Sequence, residues 1–135
     1  MVLLQEAPSE IDALQGLSVL VVEDNVLLCC VLEEALCEAG CEVIGPYSRL
    51  PEAMRAASSA RIDIALLDIN VRGQLVSPLA EQLRARGVPF VVTSAYQPDA
   101  VPRVLRGAAH LRKPFTGSDL LERLASVLAR QAPND

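Results

Sequence analysis

A chain of 135 residues with a formal charge of −5 is long enough for one sizeable core and too short for an ordinary second domain, so no separate output module is expected. With 51% apolar and 21% charged residues it groups with soluble globular chains rather than disordered ones, and its acidity opposes generic nucleic-acid binding. Acidic pairs at Glu23-Asp24 and Glu33-Glu34 interrupt the apolar stretches well short of the ~20 residues of a membrane span, and Met1 to Leu4 lacks the basic start of a secretory signal; a cytoplasmic protein is expected.

Residues 1 to 16 read as an arm with one helical turn around Ile11 to Leu14, residues 17 to 132 as the folded body and residues 133 to 135 as a tail. The first strand is expected over 18 to 22. Asn25 can open a helix that runs to Gly40, a residue suited to a helix end. Cys41 to Ile44 is a short second strand closed by Gly45-Pro46. Leu50 to Ala60 reads as a helix with Pro51 in its first turn, where a missing amide hydrogen costs little. Ile62 to Leu67 is a buried strand with Asp68 at its exit, Asn70 to Ser77 a loop, Pro78 to Arg86 a helix and Val88 to Thr93 a fourth strand. The next segment carries Pro98 and Pro102. A proline inside a helix costs about 3 kcal/mol, so a fourth helix there must be short or irregular. Ala108 to Arg112 is a fifth strand, and Ser118 to Gln131 a final helix with Leu120, Leu121, Leu124, Val127 and Leu128 on one stripe. Five strands alternating with helices give an α/β fold: a doubly wound parallel five-stranded sheet, with helices on both faces because the crossovers need them there.

Two tyrosines, two phenylalanines and no tryptophan leave the core to aliphatic side chains. Residues 1 to 48 hold nine acids and no Lys or Arg, whereas residues 101 to 135 hold six basic residues and three acids. The acidic half is read either as solvated helix faces or as a docking surface for a basic partner. Cys29, Cys30, Cys37 and Cys41 match no common zinc spacing and are expected to be reduced thiols of the core. The apolar residues Val101, Val104 and Leu105 suit either a protein contact or packing onto the sheet.

Lys113 is the only lysine among twelve cationic residues. A lysine is a compact point charge on a flexible stem, suited to reach one anionic oxygen, whereas arginine presents a rigid planar fork. It follows the fifth strand, Glu23-Asp24 follows the first and Asp68 the third. Parallel strands would gather these groups at one rim, where open α/β sheets place their ligands. Three clustered carboxylates repel one another and raise at least one pKa unless a divalent cation joins them. Magnesium takes a few carboxylate oxygens, keeps some waters and often completes its shell with phosphate oxygen. An aspartate can also attack phosphorus and form an acyl phosphate, with a metal, a lysine and a hydroxyl donor around it. Ser94, just past the fourth strand, supplies the hydroxyl.

Four motifs fall on that rim: Val21-Val22-Glu23-Asp24-Asn25, Leu66-Leu67-Asp68-Ile69-Asn70, Thr93-Ser94-Ala95-Tyr96 and Arg112-Lys113-Pro114-Phe115. With them the chain resembles the receiver domain of bacterial response regulators, over about residues 17 to 132. The resemblance implies a flavodoxin-like (βα)5 fold with strand order 2-1-3-4-5. It implies that Asp68 accepts a phosphoryl group from a histidine kinase or phosphotransfer protein. Asp24 and Asp68 would bind Mg2+ or Mn2+ directly, Glu23 through water, and the main-chain carbonyl of Asn70 would add a ligand. Ser94 would turn toward the phosphoryl group, Ala95 would leave room for its entry, Lys113 would pair with a phosphoryl oxygen, and the Lys113-Pro114 bond would be cis.

Two departures stand out. His110 occupies the place of an aromatic switch residue, where it is either a packing residue or a coupling of switching to pH, since imidazole titrates near neutrality. The proline-broken segment 97 to 106 replaces a regular fourth helix; with the run from Pro89 to Tyr96 it resembles single-domain receivers of alphaproteobacterial type. The expected function is thus a stand-alone response regulator that signals to a downstream protein target, without direct DNA binding or membrane contact. It would show only self-phosphotransfer and autodephosphorylation, and its oligomeric state, monomer or homodimer, stays open. Two alternatives compete. One is a receiver-like module that binds independently of phosphorylation. The other is a phosphatase using Asp68 covalently, opposed by Asn70 standing where haloacid-dehalogenase enzymes carry a second aspartate.

Overall fold

The structure is a computed structural model in which residues 10–95, 102, 105 and 107–131 are described. A 3-10 helix over Glu10–Leu14 precedes strand β1 (Ser18–Val22), helix α1 (Val26–Glu38), β2 (Glu42–Tyr47) and α2 (Leu50–Ser59). The chain continues through β3 (Ile64–Asp68), β4 (Asn70–Val71), β5 (Gln74–Leu75), α3 (Ser77–Ala85), β6 (Phe90–Ser94), β7 (Ala109–Arg112) and α4 (Gly117–Gln131). Five of the strands form one parallel sheet in the order β2-β1-β3-β6-β7. This is the flavodoxin-like order 2-1-3-4-5 expected from the sequence.

Alternation along the central strands divides the core in two. Leu20 and Val22 of β1 point to one face with Leu67 of β3, where Leu50, Leu79 and Leu83 of α2 and α3 cover them. Val19 and Val21 point to the other, under Leu32 and Leu36 of α1 and Leu120 and Leu124 of α4. Both faces are covered, which is why β1, β3 and β6 are buried at every position and read as continuous apolar runs. Asn25 caps α1, its Oδ1 accepting the Leu28 amide at 3.0 Å, and the helix gives way at Gly40 with φ 83°. Arg86, at the end of α3, donates to the carbonyls of Ala57 and Ala60 at the end of α2, which ties the two helices together.

Several elements differ from the sequence expectation. The second strand runs on to Tyr47 through the cis Gly45-Pro46 bond. Its pairing with β1 slips between Leu20 and Val22, where one extra residue enters. Gly45 sits at φ 101°, and a Cβ there would lie 2.9 Å from the Val21 carbonyl oxygen, so only glycine fits. Residues 70 to 75, expected as loop, form an antiparallel hairpin, Asn70 opposite Leu75 and Val71 opposite Gln74. The cysteines are not all core thiols. Cys41 is buried, but Cys30 and Cys37 are exposed, because they lie on the face of α1 opposite Leu32 and Leu36. All four are free.

The residues read as an arm include a packed turn. Leu14 is fully buried, its carbonyl accepts from Cys41 Sγ, and Gly16 donates its amide to the Gly40 carbonyl. Leu105 packs into the core on the α2 and α3 side of the sheet, whereas Val101, Val104 and most of the expected irregular fourth helix lie outside the described residues. Among the described residues no helix is long and apolar enough to cross a membrane.

Candidate functional site

The parallel register brings the motifs to one rim. Val22 pairs with Leu67 and Asp68 with Thr93, so Glu23 and Asp24 emerge beside Asp68, and Ser94 ends the neighbouring strand opposite Arg112. Ser94 holds the next connection in place through its carbonyl, which accepts the Lys113 amide at 2.8 Å. The Lys113-Pro114 bond is cis.

Lys113 Nζ lies 3.0 Å from Glu23 Oε1 and 3.3 Å from Asp68 Oδ2. Glu23 is 2% exposed and Asp68 8%, so one ammonium bridges two nearly buried carboxylates. The remaining oxygens are partly held by main chain. Glu23 Oε2 accepts the Asn25 amide at 3.1 Å, and Asp68 Oδ1 the Asn70 amide at 3.4 Å. Burial, then the Asp68 charge, raises the Glu23 carboxyl above its ordinary value, partly offset by Lys113. Burial alone would lower the Lys113 ammonium, but its hydrogen bond to Glu23 and the charges of Asp68 and Glu23 outweigh it and hold the group above the usual lysine value. Crowding of charge, the cause expected from the sequence, is at Glu23 secondary to burial.

Glu23, Asp24 and Asp68 each offer a carboxylate oxygen within 4.8 Å of the others. Three carboxylates against one ammonium, all hard oxygen donors, suit a small divalent cation of the magnesium type. Burial of Glu23 and Asp68 keeps competing water away and makes the uncompensated charge costly. The chemistry of the donor set therefore fits the cation expected there.

Of the other residues singled out, Ala95 is exposed just past β6 and Pro114 is exposed beside Lys113. His110 stands apart from the acid cluster, inside β7 opposite Val92. It is half-buried, its Nε2 has no hydrogen-bond partner among the described residues, and burial, then Arg123 and Arg112, lower its pKa.

One residue at the rim was not foreseen. Arg72 takes the first place of the two-residue hairpin turn with φ 52°, followed by Gly73 at φ 80°. A non-glycine residue in that region costs roughly 1–2 kcal/mol. Its amide donates to Asp24 Oδ2 at 2.8 Å and its Nε to the Ser48 carbonyl at 3.0 Å. A glycine one place later, between two short runs, was the only signal in the sequence.

Known proteins place this geometry. The family model described as "Response regulator receiver domain" matches residues 19–125. The transcriptional regulatory protein PdtaR of Mycobacterium tuberculosis is 31% identical over 126 residues, covering 90% of this chain and 62% of PdtaR. The chain thus spans under two thirds of that relative's length. The solution structure of SdrG from Sphingomonas melonis Fr1 superposes with a TM-score of 0.74 at 33% identity, over 84% of this chain and 97% of SdrG. The receiver domain of the sensor histidine kinase PA1611 from Pseudomonas aeruginosa PAO1 gives 0.74 at 27% identity, over 84% and 98%, and carries a magnesium ion in its active-site cleft. With the family model matched over residues 19–125 and the flavodoxin-like sheet order, the chain belongs to the response regulator receiver domains of two-component signalling.

Proposed function

We propose that Asp68 accepts a phosphoryl group from a histidine kinase or phosphotransfer protein and that the phosphorylated chain signals by binding a downstream protein. The observation that carries this reading is the placement of Asp68, the last residue of β3, between the Lys113 ammonium and the Glu23-Asp24 pair. An Asp68 carboxylate oxygen attacks phosphorus, the P–N bond of the donor's phosphohistidine breaks, and its electron pair returns to the leaving imidazole. Mg2+ or Mn2+ held by Asp24, Asp68, Glu23 and the Asn70 carbonyl would supply charge neutralisation for the phosphoryl oxygens. Lys113 pairs with one phosphoryl oxygen and Ser94 turns its hydroxyl to another. Added charge at the rim then favours one of two pre-existing conformations, with Ala95, Pro114 and His110 in the moving region.

The surface beside the rim supports a protein partner. Val26 is 75% and Leu27 80% exposed at the start of α1, with Val31 a turn further. A groove of about 340 Å3 runs from Leu27 and Val31 to Lys113, Pro114 and Phe115. Exposed apolar patches of this kind mark contact surfaces, and this one adjoins the phosphoryl acceptor. A net charge of −5 argues for a protein rather than DNA as the direct target. Chemistry is limited to self-phosphotransfer and autodephosphorylation, because Asn70 offers no general acid for external esters. Four free thiols support a cytoplasmic location.

The test is intact-mass analysis after incubation with a small phosphoryl donor and magnesium. One added phosphoryl group is expected in the wild type and none in Asp68→Asn. No addition to the wild type, even with candidate kinases, would favour a module that binds independently of phosphorylation.

A further inference from the structure

Arg72 is the only non-glycine residue with a positive φ among the described residues, and it stands where asparagine, aspartate or glycine would serve a hairpin turn better. A strained residue held at a site asks for a compensating contact. Two are present. The Arg72 amide donates to Asp24 Oδ2 at 2.8 Å, and its Nε donates to the Ser48 carbonyl, between β2 and α2, at 3.0 Å. The first contact needs only main chain in this turn, so any residue able to adopt it would supply that bond. The second needs a side chain that reaches across from the hairpin to the β2–α2 connection. Asn70, whose carbonyl is the expected metal ligand, belongs to the same hairpin through its pairing with Leu75.

We propose that Arg72 is a positioning residue for the divalent-cation site. Its guanidinium tethers the β4–β5 turn to Ser48, the tethered turn holds the Asp24 carboxylate in the acid cluster through the Arg72 amide, and Asn70 is carried in the same rigid unit. This rests on the cation reading given under the proposed function. Groups that orient metal ligands without touching the ion typically change affinity by 10- to 100-fold when removed.

The test compares full-length wild type, Arg72→Asn and Arg72→Lys by calorimetric Mg2+ titration and by thermal unfolding in EDTA. Asparagine suits the turn and lacks the tether. Arg72→Asn should weaken Mg2+ binding by about 10-fold while the metal-free unfolding midpoint stays level or rises. Arg72→Lys, which can still reach the Ser48 carbonyl, should restore wild-type affinity. Unchanged affinity in Arg72→Asn would overturn the proposal. So would parallel loss of affinity and metal-free stability, which is the mark of a merely structural residue, or failure of lysine to restore binding. A wild type that binds no Mg2+ would instead remove the cation reading itself, and this proposal with it.

Discussion

Replacing Lys113 by methionine keeps the length of the side chain and deletes its charge. The Lys113 side chain is 23% exposed, and its ammonium stands 3.0 Å from Glu23 Oε1 and 3.3 Å from Asp68 Oδ2. At an effective dielectric of about 20 each contact carries a gross attraction of about 5 kcal/mol, and desolvation of the ions takes back a large part. A ceiling on the loss comes from protonation. Without the ammonium, Glu23 can relieve the repulsion by taking a proton. From its ordinary value of 4.5 that costs about 3.4 kcal/mol at pH 7, at about 1.36 kcal/mol per pH unit. At pH 5 the same proton costs about 0.7 kcal/mol. A carboxyl whose folded pKa lies above its unfolded one destabilises fully above the folded value, and the penalty vanishes below the unfolded one. Lys113→Met should therefore cost about 2–3 kcal/mol at pH 7 and under about 1 kcal/mol at pH 5. Urea unfolding followed by circular dichroism in EDTA at both pH values measures the two differences. A loss below about 0.5 kcal/mol at pH 7, or equal losses at the two pH values, would refute the account of Lys113 as counter-charge to Glu23 and Asp68.

Two further outcomes follow from the same charges. Asp24→Asn removes one repelling charge from a half-exposed position and should stabilise the metal-free protein by about 1 kcal/mol, roughly 4 °C in Tm, while abolishing the Tm gain on adding Mg2+; a lower metal-free Tm would contradict this. His110, held below its ordinary value by burial, Arg123 and Arg112, binds fewer protons folded than unfolded, so wild type should lose stability relative to His110→Phe as pH falls from 7.5 to 5.5. A gap between the two proteins that is the same at both pH values would exclude a half-buried imidazole held neutral.

The rim was legible because its signals are local and chemically rare. One lysine in the chain, and carboxylates directly after apolar runs, need only the rule that parallel strands share their carboxyl ends. What escaped were features decided by contact or by very short elements. Strands of two residues, Asn70–Val71 and Gln74–Leu75, show no period, and Arg72 replaces the asparagine that would have announced their turn. Gly45-Pro46 reads as a terminator, and only the close approach to the Val21 carbonyl explains why β2 runs through it. In α1, apolar residues surround the helix. Val26, Leu27 and Val31 are exposed while Leu32 and Leu36 are buried, so no stripe told the core face from the solvent face, and Cys30 and Cys37 were assigned to the wrong side.

Breaches of ordinary folding rules gather at the rim, with the buried Gln82 Oε1 and His110 Nε2, unpartnered among the described residues, standing apart from it. Three carboxylates cluster where one ammonium pairs with two of them, an arginine sits at a left-handed φ beside them, and valine and leucine face solvent at the start of the adjoining helix. All three adjoin the carboxyl ends of β1 and β3. The rest of the described chain pairs its elements conventionally: Arg86 closes the end of α2, and both faces of the sheet are filled by aliphatic side chains. A sequence that specifies its fold consistently and gathers several departures at one rim marks the place where another requirement outweighs stability. Here that requirement is a site whose charge is unbalanced at rest, so that a cation and a phosphoryl group, on the proposed reading, can alter its energy by more than the core opposes.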